Sequence, residues 1–448
     1  MVQIYNTLTR QKEQFKPMVE GKIDMYVCGI TIYDFCHIGH ARTFVGFDVI
    51  VRYLRHLGYD LKYVRNITDV DDKIIKRANE NGESINDLTL RMTQAMHEDF
   101  DSLNMLRPDI EPTVTNHMDE IIEMVERLIA KGHAYVANDG DVLFDVSTFE
   151  QYGALSQQDL SMLQAGSRVE VAQDKDDPLD FVLWKKAKAG EPSWSSPWGE
   201  GRPGWHLECS AMILKYLGRT FDLHSGGEDL VFPHHENELA QSKCSCGGEF
   251  ARHWFHSTHL LVNGKKMSKS SGTLYTLSDL ANEGWTSMEV RYVLIGANYR
   301  KQLNFTMESL HAAREALGRL AKAAKDHAVP GYRELSKGGG LGVFAGAFKR
   351  LNEDLNTAAA LGELFANLKN ARSLEDWRGF FTVLTSLGLT LPEPKGIEVP
   401  EKIAKLAECR WEARQNKDWA ASDRYRDQLA ENGWMVKDGR EGYEVLPL

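Results

Sequence analysis

The stretch from Met25 to Arg42 constrains the fold of this chain more than any other. Its apolar run ends at Val27 and predicts a buried strand, with Cys28 closing that strand. From Ile38 onward, apolar residues recur at helical spacing, so a helix is predicted to begin there. A second strand-like run, Leu61 to Thr68, follows the helix. Strand, helix and strand in this order predict a βαβ unit with parallel strands.

The predicted start of this helix carries a candidate phosphate site. His37, Ile38, Gly39 and His40 read HIGH at the junction between strand and helix. A helix N-terminus offers backbone N–H groups and a partial positive charge, which favour an anion. Gly39 lets a ligand approach the backbone closely, and both imidazoles could donate to phosphate oxygens. Taken alone, the pair could equally well cap the helix.

A second candidate phosphate segment lies far downstream. Lys266 to Ser270 reads KMSKS within a turn-rich stretch, and Lys266 and Lys269 suit a phosphate whose charge changes during a reaction. A separate pentapeptide of this kind would usually be a solvated basic loop. HIGH followed by KMSKS in one chain resembles the signature of class I aminoacyl-tRNA synthetases. That resemblance implies that the two motifs hold the triphosphate of ATP from opposite sides.

Another group of residues has the types that bind zinc. His234 and Glu238 are four apart on a predicted helix that begins near Pro233, so they share one face. Cys28 and Cys209 are predicted at strand ends or loops of the same split fold. Two cysteines, a histidine and a glutamate suit Zn²⁺. From spacing alone, an exposed His–Glu hydrogen bond and two buried thiols explain the pattern more simply.

Three strings together, CGITIYDFCHIGHAR, GRPGWHLECSAM and FPHHENE, resemble the cysteinyl-tRNA synthetases. The resemblance includes DDPLDFVLWK and weakens in the C-terminal third of the chain. It implies that one Zn²⁺ per chain, held by Cys28, Cys209, His234 and Glu238, binds the thiol of the substrate cysteine.

The same resemblance implies contacts with ATP. Gly39 and Lys269 would contact the nucleotide, and ribose contacts are carried over to Gly227 and Asp229. The family usually reads HGGG-x-D at this point, whereas this chain has Ser225 and Glu228 as departures. Ser225 is small enough for a similar turn, so we expect no change of activity. His206, His224 and His235 could line the pocket or serve as capping and core groups.

The implied reaction has two steps. L-Cysteine is activated by ATP with Mg²⁺, and the cysteinyl group then passes to the 3′-terminal ribose of tRNA(Cys). His37, His40, Lys266 and Lys269 would act on the phosphates. One alternative is a sister ligase that joins activated cysteine to an amino sugar, which should lack an extended tRNA-reading tail. The other is a non-catalytic tRNA-binding relative, against which the intact HIGH and KMSKS motifs argue.

The residues beyond Pro394 favour a tRNA ligase over the amino-sugar ligase. This stretch interleaves basic and aromatic residues in a way that suits single-stranded anticodon contact, although a solvated helical face is the simpler alternative. The basic and aromatic residues are Arg410, Trp411, Arg414, Lys417, Trp419, Arg424, Tyr425 and Arg426.

Composition narrows the class of protein. The six cysteines of this 448-residue chain are too sparse to predict a disulfide framework. A net charge of -11 argues against an overall nucleic-acid binder but allows a local basic track. The sequence contains no apolar run of roughly 20 residues and no signal-peptide core at its start. We therefore predict a soluble cytoplasmic monomer with no membrane partner.

The predicted fold class is α/β: a split Rossmann-like parallel-sheet catalytic domain with an insertion, followed by an α-helical bundle and a small C-terminal α+β domain. The catalytic halves are predicted at residues 1–115 and 204–258, separated by a connective insertion at 116–203. Residues 259–304 would hold the KMSKS loop and a stem-contact region, 305–392 a tRNA-binding helical bundle, and 393–448 a small anticodon-binding domain.

Overall fold

The structure is a computed structural model that describes residues 2–158, 177–267, 272–327, 340–392, 399–439 and 442–448. Lys269 of the KMSKS motif lies outside the described residues. The chain divides into two compact units, Met1–Leu391 and Pro392–Leu448, and each is described by itself.

Strands and helices are numbered along the described residues. The strands are β1 Gln3–Asn6, β2 Gln11–Gln14, β3 Lys22–Thr31, β4 Asp60–Thr68, β5 Ala134–Val136, β6 Val142–Phe144, β7 Phe181–Lys186, β8 Gly201–Pro203, β9 Thr220–Gly227, β10 Phe250–Ser257, β11 Leu260–Val262, β12 Lys265–Lys266, β13 Leu303–Phe305, β14 Trp434–Asp438 and β15 Tyr443–Pro447. The helices are α1 Ile38–His56, α2 Asp72–Asn81, α3 Ile85–Ser102, α4 Met118–Ala130, α5 Leu207–Leu217, α6 Glu236–Cys246, α7 Leu277–Asn282, α8 Ser287–Leu294, α9 Met307–Ala324, α10 Ala345–Leu351, α11 Thr357–Asn367, α12 Leu374–Ser386, α13 Glu401–Gln415 and α14 Trp419–Glu431.

The central sheet of the first unit has four parallel strands in the order β10-β9-β3-β4. Helix α1 connects β3 to β4, and α6 connects β9 to β10, as parallel strands require crossover connections. The predicted Rossmann-like α/β fold and its opening βαβ unit are therefore confirmed. The long interval between β4 and β9 carries the insertion.

Alternate residues of β3 face opposite sides of this sheet, as the period of a strand requires. Met25 and Val27 pack in the core that includes α1, whereas Tyr26 and Cys28 pack in the core that includes α5 and α6. The side of the sheet on which Cys28 lies is thus decided by its register, and it is the side opposite to α1.

The predicted end of β3 at Cys28 was wrong, because the strand continues to Thr31. Its pairing with β4 is irregular between Val27 and Ile30. Gly29 makes this irregularity possible, since a Cβ there would lie 1.6 Å from the backbone oxygen of Asn66. Only glycine allows the two backbones to approach this closely.

The prediction for Cys209 was also wrong, because this residue lies in the first turn of α5 and not at a strand end or in a loop. Most residues of α5 are buried, including polar ones such as Glu208 and Ser210. A helix without an exposed polar face shows no amphipathic period, so its sequence does not distinguish it from a strand.

The helix predicted to begin near Pro233 has helical backbone from that residue onward. A π-helical turn, Val231–His235, leads into α6 at Glu236, and Phe232 within that turn has extended backbone angles. A residue before proline is driven out of the helical region by steric clash, so the boundary lies at Phe232. His234 therefore lies in the turn before α6, while Glu238 lies in its first turn.

The insertion contains a four-stranded antiparallel sheet in the order β5-β6-β7-β8. Strands β5 and β6 form a hairpin through Asp139 and Gly140, and Gly140 has the positive φ of +95° that such a turn requires. Strands β7 and β8 lie in the same insertion, and β8 is a short strand within a stretch rich in turn residues.

Beyond the central sheet, β11 pairs with both β12 and β13 in a small mixed sheet. Helices α7 to α12 follow, and apolar residues of α9 to α12 join the same core as α1. The predicted helical region is confirmed.

The second unit consists of α13, α14 and the antiparallel hairpin β14–β15, around a core that includes Ile403, Ala407 and Leu429. This is the small α+β fold that the sequence predicts. Among the described residues, none of the helices is both long enough and apolar enough to cross a bilayer.

Candidate active site and metal centre

The candidate site residues gather at the carboxyl edge of the central parallel sheet. The HIGH residues follow β3, and Gly227 and Asp229 lie at and just after the end of β9. Ligands of open α/β sheets bind at this edge, because loops and helix starts converge there.

The two histidines of HIGH cap their own helix. His37 Nδ1 accepts hydrogen bonds from the N–H groups of Gly39 at 3.1 Å and His40 at 3.3 Å, and His40 Nδ1 accepts from the N–H of His37. The Ile38 N–H donates to the Tyr275 carbonyl at 2.9 Å. These first-turn N–H groups have partners within the chain, so the phosphate contact expected at the helix start stays a prediction, to which the two imidazole side chains could contribute.

The same cap determines which ring nitrogen of each histidine can donate a hydrogen bond. Each Nδ1 accepts a hydrogen bond, which places the proton of a neutral ring on Nε2. The rings of His37 and His40 stack with centroids 3.7 Å apart. Burial, together with the neighbouring His37, lowers the pKa of His40 to about 3. His40 is therefore neutral at pH 7 and can offer one Nε2–H donor without breaking the cap.

Met267 of the KMSKS motif lies directly against this helix start. A Cβ on Gly39 would be 2.4 Å from Met267 Cε, and His37 forms an isolated β-bridge with Thr276. Both described flanks of residues 268–271 thus contact HIGH. Lys266 is exposed on β12, where it pairs with Leu261.

A cavity of about 500 Å³ opens beside the two motifs, which is large enough for a small-molecule ligand. Residues from both motifs' surroundings line it, including Thr31, Tyr33, Phe35, His37, His40 and Thr276.

The four predicted zinc ligands lie together in the buried core beside β3. Cys28 Sγ is 3.7 Å from Cys209 Sγ and 3.2 Å from Glu238 Oε1. His234 Nε2 is 2.9 Å from Glu238 Oε1 and 3.7 Å from Cys209 Sγ. All four residues are at most 4% exposed.

This donor set fits a zinc ion. Two thiolates bound tetrahedrally at the usual zinc–sulfur distance would be about 3.8 Å apart, close to the separation seen here. A hydrogen bond with Cys28 lowers the pKa of Cys209 to about 6 despite burial, which favours the thiolate that a metal needs. The donor atoms of two cysteines, a histidine and a carboxylate all lie within 4.8 Å of one another in this buried cluster, an arrangement that suits a cation.

Sequence reasoning left His224 and His235 undecided, and both lie at this cluster. His224 Nε2 is 2.8 Å from Glu238 Oε2, and His235 Nε2 is 3.3 Å from Cys28 Sγ. With Cys28 and Glu238 they form a second set of four that could hold a metal. The only sequence signal was their position beside the predicted ligands. His206 lies 3.1 Å from His234 through the two Nδ1 atoms.

The other predicted residues are placed as follows. Asp229 is exposed in the turn after β9, and a Cβ on Gly227 would lie 2.4 Å from Asp229 Oδ1. Ser225 is fully buried in β9. Cys244 and Cys246 lie in the last turn of α6.

In the second unit, Arg410 is not available to a nucleic acid. It is 6% exposed and forms a two-pronged ion pair with Asp438 at 2.7 and 3.0 Å. Arg414, Lys417 and Trp419 are exposed on the described surface of this unit.

Comparisons with known proteins identify the family of this chain. The family described as tRNA synthetases class I (C) catalytic domain matches residues 14–315. A cysteine–tRNA ligase of Pseudoalteromonas translucida is 62% identical over 98% of each chain. One from Escherichia coli is 52% identical over 99% of each chain.

Among solved structures, Mycobacterium tuberculosis methionyl-tRNA synthetase in complex with methionyl-adenylate has a TM-score of 0.58 at 17% identity. It covers 82% of this chain and 88% of its own, and this likeness shows the fold alone. The identity and coverage of the sequence matches decide the family: the chain belongs to the cysteine–tRNA ligases, within the class I aminoacyl-tRNA synthetases.

Proposed function

We propose that this chain activates L-cysteine with ATP and Mg²⁺ and transfers it to the 3′-terminal ribose of tRNA(Cys), with one zinc reading the thiol. One observation carries the proposal. The buried cluster of Cys28, Cys209, His234 and Glu238 lies beside β3, the strand that leads directly into the capped histidines of HIGH. The proposed thiol-binding site and the proposed phosphate site thus lie next to each other along the chain, the first beside β3 and the second at the start of the helix that follows it.

In the first step, the cysteine carboxylate attacks the α-phosphate of ATP in line, and pyrophosphate leaves. His37 and His40 donate from Nε2 to phosphate oxygens, because their Nδ1 atoms hold the helix start. Lys266, and Lys269 outside the described residues, stabilise the negative charge that develops in the transition state. The contribution of the protein is positioning and charge stabilisation, so no protein nucleophile is needed.

At the metal centre, Cys28, Cys209, His234 and Glu238 would hold Zn²⁺. Bound zinc would supply a Lewis acid that favours a sulfur ligand over a hydroxyl, which distinguishes cysteine from serine. His224 orients Glu238 through its second carboxylate oxygen. Burial of the four residues excludes water and leaves few other partners for the thiol.

For the second step, the exposed Arg414, Lys417 and Trp419 of the second unit are candidates for contact with single-stranded tRNA. Gly227 and Asp229 are candidates for contact with the ribose of ATP. Operation in the cytoplasm and as a monomer stay predictions from the sequence.

The direct test supplies total tRNA, ATP, Mg²⁺ and labelled cysteine, with an amino sugar as the alternative acceptor in a parallel reaction. We expect label on tRNA that is lost on mild alkaline treatment, and none on the sugar. Cysteinyl sugar without cysteinyl-tRNA would instead identify the sister ligase. Failure of cysteine-dependent pyrophosphate exchange would reject catalysis altogether.

A further inference from the structure

Arg42 lies on α1, two residues after His40, and its side chain does not face the cavity of the candidate site. It is 2% exposed, and its guanidinium donates to backbone carbonyl oxygens of residues 294–301. Nη1 donates to Leu294 and, at 3.2 Å, to Ala297. Nη2 donates to Asn298 at 2.7 Å and to Lys301 at 3.4 Å.

Residues 294–301 lead into the sheet that carries Lys266. They begin at the end of α8 and continue into β13, which pairs in parallel with β11. Strand β11 pairs in turn with β12, so that Asn304 and Lys266 both lie opposite Leu261. Arg42 on α1 is therefore connected with Lys266 on β12 in three steps: its hydrogen bonds to residues 294–301, the backbone that continues from them into β13, and the pairing of β13 with β11 and of β11 with β12.

The contact depends on the shape of arginine. A planar guanidinium can serve several carbonyl oxygens in fixed directions, whereas the single ammonium of lysine cannot reproduce this fork. Burial lowers the pKa of Arg42 to about 10, so the group stays charged at neutral pH. The carbonyls at the end of α8 carry the partial negative charge of a helix C-terminus, which favours a cation there.

We infer that Arg42 is a positioning residue for adenylate formation: by binding residues 294–301 it sets the separation between the histidines of HIGH and Lys266. This inference rests on the proposed function, in which the two motifs act on the same triphosphate. It assigns to Arg42 no contact with substrate.

The chain offers a matched control on the same helix. Arg52 is also largely buried, but it binds Asp48 at 2.8 Å and carbonyl oxygens of Asn104 and Thr385, which belong to other parts of the unit. Its replacement by lysine perturbs α1 without touching residues 294–301.

A second variant removes contacts that a different helix makes with the same segment. The Thr357 hydroxyl on α11 donates to the Ile295 carbonyl at 2.7 Å and lies 3.5 Å from that of Ala297. Thr357→Val removes these bonds while keeping the shape of the side chain, and α1 is unchanged.

The test measures single-turnover formation of the adenylate and the dissociation constant of ATP for the zinc-loaded full chain, per active site. For Arg42→Lys we expect a rate lower by about 10- to 100-fold with a much smaller change in ATP affinity, because small misplacements of reacting groups have effects of this size. Arg52→Lys should keep the wild-type rate even where its unfolding temperature falls. Thr357→Val should be slower than wild type, in the same direction as Arg42→Lys.

Equal rates for Arg42→Lys and wild type would overturn the inference, and so would equal slowing by Arg42→Lys and Arg52→Lys. If Arg42→Lys does not fold, Thr357→Val decides: a wild-type rate for that variant overturns the inference. Failure of the wild-type chain to form any adenylate would instead reject the proposed function.

Discussion

At the scale of single residues, His37 and His40 show how one pair of side chains serves both the fold and a ligand. The sequence left capping and phosphate binding as alternatives. In the structure the Nδ1 atoms of both rings accept hydrogen bonds in the cap. The atom of each ring that can donate to a phosphate is therefore Nε2. The two roles use different atoms of the same ring, so they are compatible.

Cys209→Ser tests the metal centre. We expect about one zinc per wild-type chain, and lower zinc content together with weaker cysteine activation in the variant, because a hydroxyl is a poor zinc ligand. Elemental analysis and pyrophosphate exchange measure the two quantities. Cys244→Ser is the control, since Cys244 is buried in the same helix as Glu238 but outside the cluster. Active wild-type protein without zinc, or a variant that loses zinc but activates cysteine normally, would contradict the assignment.

The burial of His256 predicts how the stability of the chain depends on pH. It is 6% exposed, between the Thr7 hydroxyl at 2.7 Å and His235 at 2.8 Å, and burial lowers its pKa to about 3. In the unfolded chain His256 binds a proton as the pH falls through about 6.5, whereas in the folded chain it does not. The stability that depends on this residue is therefore present above pH 6.5 and is lost as the pH falls below it.

We therefore expect that the free energy of unfolding of the wild-type chain falls between pH 7.5 and pH 5.5. In His256→Gln the fall should be smaller by about 1.4 kcal/mol. Urea unfolding of both proteins at the two pH values measures this difference, and contributions shared by the two proteins cancel. Identical pH dependence in the variant would show that His256 has the same pKa in the folded and the unfolded chain, which would contradict the prediction.

At the scale of elements, α1 begins at the HIGH motif, and its two glycines have different surroundings. A Cβ on Gly39 would lie 2.9 Å from the His37 ring and 2.4 Å from Met267 Cε. On Gly46 the nearest atom would be Tyr299 Cβ at 3.7 Å. There is therefore no room for an added methyl group at Gly39, where Met267 packs against HIGH. At Gly46 an added methyl group would make ordinary van der Waals contact.

Gly39→Ala should displace the His37 ring and slow adenylate formation. Gly46→Ala should keep the wild-type rate and be at least as stable, because alanine favours a helix by about 1 kcal/mol over glycine. Stopped-flow measurement of the adenylation rate and thermal unfolding of both variants test this. Equal rates for the two variants would mean that the contact at Gly39 has no role in catalysis.

At the scale of the whole molecule, the second unit can be removed at a natural boundary. A chain that ends at Leu391 keeps every described residue of the candidate active site and metal centre. We expect it to retain cysteine-dependent pyrophosphate exchange but to charge tRNA more slowly, because the exposed basic and aromatic residues of the second unit are lost. Equal charging by the two chains would remove the proposed tRNA contact from this unit.

Selectivity is also a property of the whole molecule. A pocket that judges size alone discriminates poorly, whereas a site built around one specific contact can reject an analogue by about 10⁴ to 10⁵. We expect such a ratio of kcat/KM for adenylation of cysteine over serine, with no hydrolysis of serine-charged tRNA. Weak discrimination combined with rapid deacylation would contradict both the zinc mechanism and the absence of editing.

The sequence by itself determined the parts of this protein that depend on local order. Strand β3, helix α1 and strand β4 follow from apolar periodicity, and the HIGH and KMSKS strings indicate the family because their chemistry is contained in a few consecutive residues. The proposed zinc ligands Cys28, Cys209, His234 and Glu238 could be named from resemblance, but their spacing did not show that they meet.

Tertiary structure alone decided the rest. Cys209 was predicted in the wrong element because a buried helix has no amphipathic period. His224 lies at the cluster because β9 pairs with β3, and His235 lies there because of the fold of the turn before α6. The link from Arg42 to Lys266 crosses more than two hundred residues of sequence through backbone carbonyls, which have no signature in side-chain order. Contacts made by the backbone, or by residues distant in the chain, become visible only when the chain is folded.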